Sequence, residues 1–289
     1  MIASRKGLVY SLAFSVFWAL NIFIDKLAFK VGGVENPLAY SVNVQIVSAV
    51  LTTLYALLAM GKIKAPFFSK GNFLPFAFLG GAIAFGNIFS NWGLKVSAAI
   101  NYGFIIKSTV VFVPVLSFFL LRERISPRTA GLIVAFLSGI YLLSTGGQAF
   151  VPAAGDFLIL CAAAFYAFST VYQKKAFWKF GTYVITWGRM LFSAGVLVVL
   201  HLFLGGGLLL EAPAFVVLSG CLNVVCVLLI TKAIQNIEVT SFSMISMITP
   251  VLTALLGHFI LAEGFNFVQS VGAAIILGAG TFLVLSRKH

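Results

Sequence analysis

Apolar runs of about twenty residues, broken by short polar connections, fill the sequence at 7–28, 38–60, 73–92, 98–121, 129–145, 156–174, 182–204, 212–231, 238–261 and 267–286. A helix crossing the roughly 30 Å hydrocarbon core needs about 20 such residues, so the pattern predicts ten membrane spans. They use nearly the whole chain and leave little for a soluble catalytic domain. The expected fold is therefore all-α: a polytopic membrane protein of ten transmembrane helices.

Composition agrees, since 61% of the 289 residues are hydrophobic and only 9% are charged, a balance that a water-soluble domain of this length does not keep. The formal charge of +12 is spread in twos and threes between apolar runs, with no basic arm or stripe for nucleic acid. It reads instead as topology. With the N-terminus in the cytoplasm, 14 basic residues fall on inside segments, from Arg5 and Lys6 through Lys62, Lys64, Lys70, Arg122, Arg124, Arg128, Lys174, Lys175, Lys179 and Lys232 to Arg287 and Lys288. Only Lys26, Lys30 and Lys95 fall outside, so the positive-inside rule puts both termini in the cytoplasm. The first apolar run exceeds signal-peptide length and carries no small-x-small cleavage pattern, so it is read as a retained span. Cys161, Cys221 and Cys226 match neither a disulfide framework nor a zinc site, and neither metal nor cofactor is expected.

The chain also repeats. A shift of 148 sets Gly7 on Gly155, Trp18 on Tyr166, Asn21 on Ser169, Lys26 on Lys174 and Ala28 on Ala176. A shift of 140 sets Tyr102 on Phe242 and Glu123 on Glu263, each glutamate closing a long apolar run. Two five-helix units are expected, residues 1–147 and 148–289. An odd number of spans per unit turns the second upside down, the inverted-repeat plan that puts a transport site at the repeat interface near the midplane.

The opening pattern LAFSVFWALNIFIDKLAF at 12–29, its partner GDFLILCAAAFYAFSTVYQKKAF at 155–177 and the two span-ending glutamates resemble the drug/metabolite transporter superfamily, and within it the EamA-type ten-helix transporters. The resemblance covers essentially the whole chain. It implies alternating access, with the third and fourth and the eighth and ninth spans as gates. It also implies a proline about thirteen residues before each span-ending glutamate. Pro250 fits, whereas the first half has Val110 there and Pro114 one turn later, which implies a displaced kink in the fourth span.

Two basic residues remain after topology is accounted for. Lys107 lies about nine residues into the fourth span, roughly 14 Å deep, and Arg189 lies within the seventh on a polar stripe with Thr182, Thr186 and Ser193. Each costs roughly 2.5–3.5 kcal/mol on insertion scales, which an anionic ligand would offset. The alternatives are that they cap backbone carbonyls or pair with Asp25. In relatives that move sugar phosphates, basic residues inside the bundle bind the anionic end, and the resemblance implies that use here. Trp18, Asn21 and Asp25 share one face of the first span, and Tyr166, Ser169 and Gln173 share the matching face of the sixth. These faces suit a shared cavity, or serve as interhelical hydrogen bonds. Tyr102 and Trp187 are candidates for its apolar wall, and Asn87 and Ser246 are further polar candidates. Ser246 shares a face of the ninth span with Ser243, Pro250 and Thr253. Gly131, Ser138 and Gly139, with Gly272, Gly278 and Gly280, mark the fifth and tenth spans as scaffold or homodimer contacts.

No HExxH, GxSxG or phosphate-loop pattern occurs, so neither an intramembrane hydrolase nor direct ATP driving is expected. Asp25 is the one intramembrane carboxylate available for proton coupling, so exchange or facilitated movement is favoured over proton antiport. The reading is a secondary transporter in the bacterial inner membrane, moving a small metabolite with an anionic group: an amino acid, carboxylate or organic phosphate. Its partners are that solute and the bilayer. The rivals are an exporter of hydrophobic or cationic compounds, disfavoured by the two buried cations, and a non-transporting scaffold.

Overall fold

The computed structural model describes residues 4–60, 72–96, 105–149, 154–177, 179–207, 210–261 and 264–285. Tyr102, Glu263, Lys62, Lys64, Lys70, Arg287 and Lys288 lie outside them. Among the described residues, regular structure is entirely helical. Eight helices among the described residues are long and apolar enough to cross a membrane, and two shorter apolar helices, Ile106–Leu121 and Phe267–Leu283, stand where the fourth and tenth spans are expected.

The first three spans are α1 (Arg5–Lys30), α2 (Pro37–Met60) and α3 (Phe73–Val96). The fourth opens with a 3₁₀ turn, Ile106–Ser108, and continues as α4 (Thr109–Leu121). Next come α5 (Pro127–Thr145), α6 (Asp156–Ala176), α7 (Thr182–Phe203) and α8 (Pro213–Asn236). The ninth span is split into α9 (Val239–Ile245), a 3₁₀ turn at Ser246–Ile248, and α10 (Thr249–Leu261); α11 (Phe267–Leu285) is last.

Local chemistry sets several of these ends. Asn36 Oδ1 accepts from the backbone N–H groups of Leu38 and Ala39 ahead of α2, where Pro37 fills the first helical position. Ser126 Oγ accepts from Thr129 N–H ahead of α5, again with proline next. At α11, Asn266 Oδ1 accepts from Gln269 N–H while Gln269 Oε1 accepts from Asn266 N–H, a reciprocal capping box.

The most extensive interfaces join one half of the chain to the other: α1 with α8, α3 with α6, α5 with α11, α3 with α7, α2 with α7, and α4 with α6. They come in exchanged pairs. The first span packs on the eighth as the sixth packs on the third, and the second on the eighth as the seventh on the third. The fifth and tenth spans meet closely: a Cβ on Gly272 would stand 2.6 Å from the carbonyl oxygen of Gly139, and one on Gly139 would stand 2.9 Å from that of Gly272. Both positions need glycine for the backbones to approach. Gly131 and Gly278, by contrast, face open space.

Ser246 follows Ile106 by 140 residues, the sequence shift that aligns the fourth and ninth spans. The two 3₁₀ turns thus occupy equivalent places although Pro250 has only Val110 as its counterpart. The first break is not displaced toward Pro114, which sits inside regular helix. Proline is therefore not what breaks the fourth span.

Candidate functional site

Arg189 is the centre of a buried polar node. It is 8% exposed, and its Nη1 donates to Oε1 of Gln173, which is fully buried on α6. Gln173 Nε2 donates in turn to Thr231 Oγ1 on α8 at 2.7 Å, and Thr186 Oγ1, one turn before Arg189, lies 3.2 Å from the same oxygen. The polar stripe of α7 therefore faces protein, with Gln235 of α8 donating to its first member, Thr182. The helix period gives this geometry: 182, 186, 189 and 193 return to one face, from which the first three reach side chains of α6 and α8.

The node is incomplete. Arg189 Nε is buried without a hydrogen-bond partner, and so is Oγ of Ser193, one turn further along α7. Among the described residues no carboxylate faces the guanidinium. Gly80 on α3 lets the chains approach here, since a Cβ on it would lie 2.7 Å from the backbone nitrogen of Ser193. A guanidinium with one corner held by a neutral amide and its Nε edge free is suited to accept a planar anion.

Lys107 lies within the 3₁₀ turn of the fourth span, which packs against α6, the helix that also carries Gln173. It is half-buried, and among the described residues no acceptor reaches its Nζ.

Asp25 pairs with neither cation. Its Oδ1 accepts from Ser219 Oγ of α8 at 2.6 Å and from Tyr40 Oη of α2 at 2.9 Å. Asn21, one turn earlier on α1, donates from Nδ2 to Ser219 Oγ at 2.9 Å and to the Ser219 carbonyl at 3.2 Å. The polar face of the first span thus grips one serine.

The other sequence candidates are distributed around these nodes. Tyr166 Oη donates to Asn87 Oδ1 on α3 at 2.7 Å, and Ser169 lies 3.5 Å from the Leu79 carbonyl of the same helix. Trp187 is buried and donates from Nε1 to Thr53 Oγ1 at 2.8 Å. Trp18 is half-buried and stacks on Phe14 with ring centroids 5.9 Å apart. Ser246 opens the ninth-span turn and donates to the Ser243 carbonyl at 2.7 Å. Tyr102 lies outside the described residues.

Sequence reasoning missed the use of Glu123. Its carboxylate receives the Val239 and Thr240 N–H groups at 3.3 and 3.5 Å and Thr240 Oγ1 at 3.0 Å, capping the start of α9, and Lys174 Nζ lies 3.9 Å away. Lys174 also donates to the Ile237 carbonyl. Arg122 has a left-handed backbone with φ 58°, which ends α4 and turns the next residue toward α9. A glutamate just past an apolar run, after Arg122, was the available signal.

The family model for EamA-like transporters matches the chain twice, at residues 5–145 and 153–286. An uncharacterized transporter of Methanothermobacter thermautotrophicus is 26% identical over 200 residues, 66% of this chain and 58% of that protein. The uncharacterized transporter YetK of Bacillus subtilis is 26% identical over 208 residues, 68% of this chain and 63% of that one. The matched stretch therefore spans less than two thirds of either relative's length. A solved crystal structure of 18% identity superposes with a TM-score of 0.82 over 99% of both chains, a likeness of fold alone. With ten apolar helical segments among the described residues and two family matches covering almost its whole length, the chain belongs to the EamA-like transporter family and is an integral membrane protein.

Proposed function

We propose that this transporter moves a small metabolite bearing a carboxylate or phosphate, such as an amino acid or organic phosphate, by alternating access in a bacterial inner membrane with both termini cytoplasmic. The observation that carries this reading is the buried Arg189 guanidinium, whose Nε has no partner and which faces no acid among the described residues. An unpaired charge at this depth is retained at a cost that a bound anion offsets. Lys107, in the turn that packs against α6, supplies a second cation, with no acceptor among the described residues.

Exchanged pairing of spans between the halves supports a rocking mechanism, because each half meets the other through equivalent surfaces. The 3₁₀ turns at Ile106–Ser108 and Ser246–Ile248 are the places in the fourth and ninth spans where regular helical hydrogen bonding is interrupted. Such breaks are suited to absorb the change of angle.

The test is a thermal-shift screen of carboxylates, amino acids and organic phosphates on purified protein, followed by uptake of the stabilising solutes into proteoliposomes. Arg189→Gln is expected to abolish both the stabilisation and the uptake, and Arg189→Lys to weaken them by losing the fork geometry. Undiminished transport of an anionic solute by the Arg189→Gln and Lys107→Gln variants would overturn the assignment.

A further inference from the structure

Asp25 is the one carboxylate among the described residues that lies inside a spanning helix rather than at its first residue or in a connection, little more than one turn before the end of α1. Asp156 is the first residue of α6, Glu238 precedes α9, and Glu35, Glu123 and Glu211 stand in connections. Its two oxygens are treated differently. Oδ1 takes both hydroxyl donors, Ser219 and Tyr40, while Oδ2 has no hydrogen bond among the described residues.

We infer that Asp25 is the proton-carrying site of the transport cycle, with Oδ2 the oxygen that is protonated. This rests on the transporter reading and replaces the preference for exchange that the sequence suggested. Ionised, Asp25 makes two charge-assisted hydrogen bonds that tie α1 to α2 of its own half and to α8 of the other. A proton entering from water on one face binds Oδ2 and removes the charge. Both bonds then fall to the strength of neutral ones, and the link between the halves loosens. Release of that proton to the opposite face restores the carboxylate and the link. One proton is bound and one released per cycle.

The surroundings suit a proton. Tyr40 from α2 is the titratable group that bonds to it, and Cys226 on α8 lies within its field. Asn21 and Ser219 are neutral. Lys26 is adjacent in sequence and engaged elsewhere. On α10, the groove facing α1 is lined by Leu252, Leu255, Leu256 and Phe259, and His258 packs on Phe259 and Phe265. Among the described residues no fixed cation pairs with Asp25, so its charge state is free to follow a proton.

The direct test needs no substrate. In a pH titration of purified protein followed by infrared difference spectroscopy, a protonated-carboxyl stretching band is expected in the native protein and is lost in Asp25→Asn, but kept in Glu123→Gln. Ser219→Ala, which leaves the carboxyl in place, is expected to shift the midpoint, and it serves as the second variant if Asp25→Asn does not fold. No titrating band, a band that survives Asp25→Asn, or a midpoint unmoved by Ser219→Ala would each overturn the inference. So would loss of the band on adding sodium chloride at constant pH, which would make the site one for sodium. In proteoliposomes, Asp25→Asn is expected to keep exchange of a solute found in the thermal-shift screen but to lose its accumulation driven by a pH gradient. Failure of exchange as well would count against the carrier assignment of Asp25, whereas a native protein that titrates but binds no anion would instead count against the anion reading.

Discussion

Glu123 acts on two partners at once. It accepts from the first N–H groups of α9, groups that no helical carbonyl reaches, and it faces the ammonium of Lys174. Removing it leaves those donors unsatisfied. Glu123→Ala is expected to destabilise the protein by about 1–2 kcal/mol, the usual range for a lost cap, read as a lower Tm in detergent; Glu123→Gln, which keeps one acceptor oxygen, should lose less. At this scale the sequence disclosed which residues were anomalous and not what they touch. Lys107 and Arg189 stood out as cations that topology does not use, and Asp25 as a lone acid. Gln173, Ser219 and Thr231, which decide what those charges do, are ordinary polar residues on other helices. Their roles arise only when α6 and α7 meet α8, and when α8 meets α1.

The helices themselves were legible, because a span is a length of apolar chain and its ends are marked by proline, asparagine, serine or glycine. The expected 73–92, 129–145 and 182–204 became Phe73–Val96, Pro127–Thr145 and Thr182–Phe203. The two 3₁₀ turns were not legible: one has a proline just after it and the other does not, so the break follows from packing against α6 and α1 rather than from a residue type. The small residues of the fifth and tenth spans were read as scaffold or homodimer contacts, and two of them, Gly139 and Gly272, meet within the chain. Gly272→Val would drive its side chain into the Gly139 carbonyl. It is expected to lower the yield of monodisperse protein severalfold, measured by fluorescence-detected size exclusion, whereas Gly278→Val, at an open position, should leave the elution profile unchanged.

Across the molecule, the largest interfaces run between the halves and few run within them. Expressed alone, residues 1–147 should therefore give no stable protein, since α1, α2 and α3 each lack their principal neighbours. Co-expressed as two pieces, 1–147 and 148–289 should assemble and co-purify through a tag on either one. Failure to associate would mean that the covalent connection, rather than the shared surface, holds the halves together.

That arrangement also sets a timetable for synthesis. Asp25 and its donor Ser219 are 194 positions apart in the chain. At about 5–20 residues per second, the first span waits on the order of 10–40 s after leaving the ribosome before its partner on α8 exists. During that interval Tyr40 is the only one of its two hydroxyl donors already made. The nascent chain thus spends most of its synthesis with its polar faces turned to lipid or to the insertion machinery. The same acid that is tied across the finished protein is, early on, the group most in need of shelter.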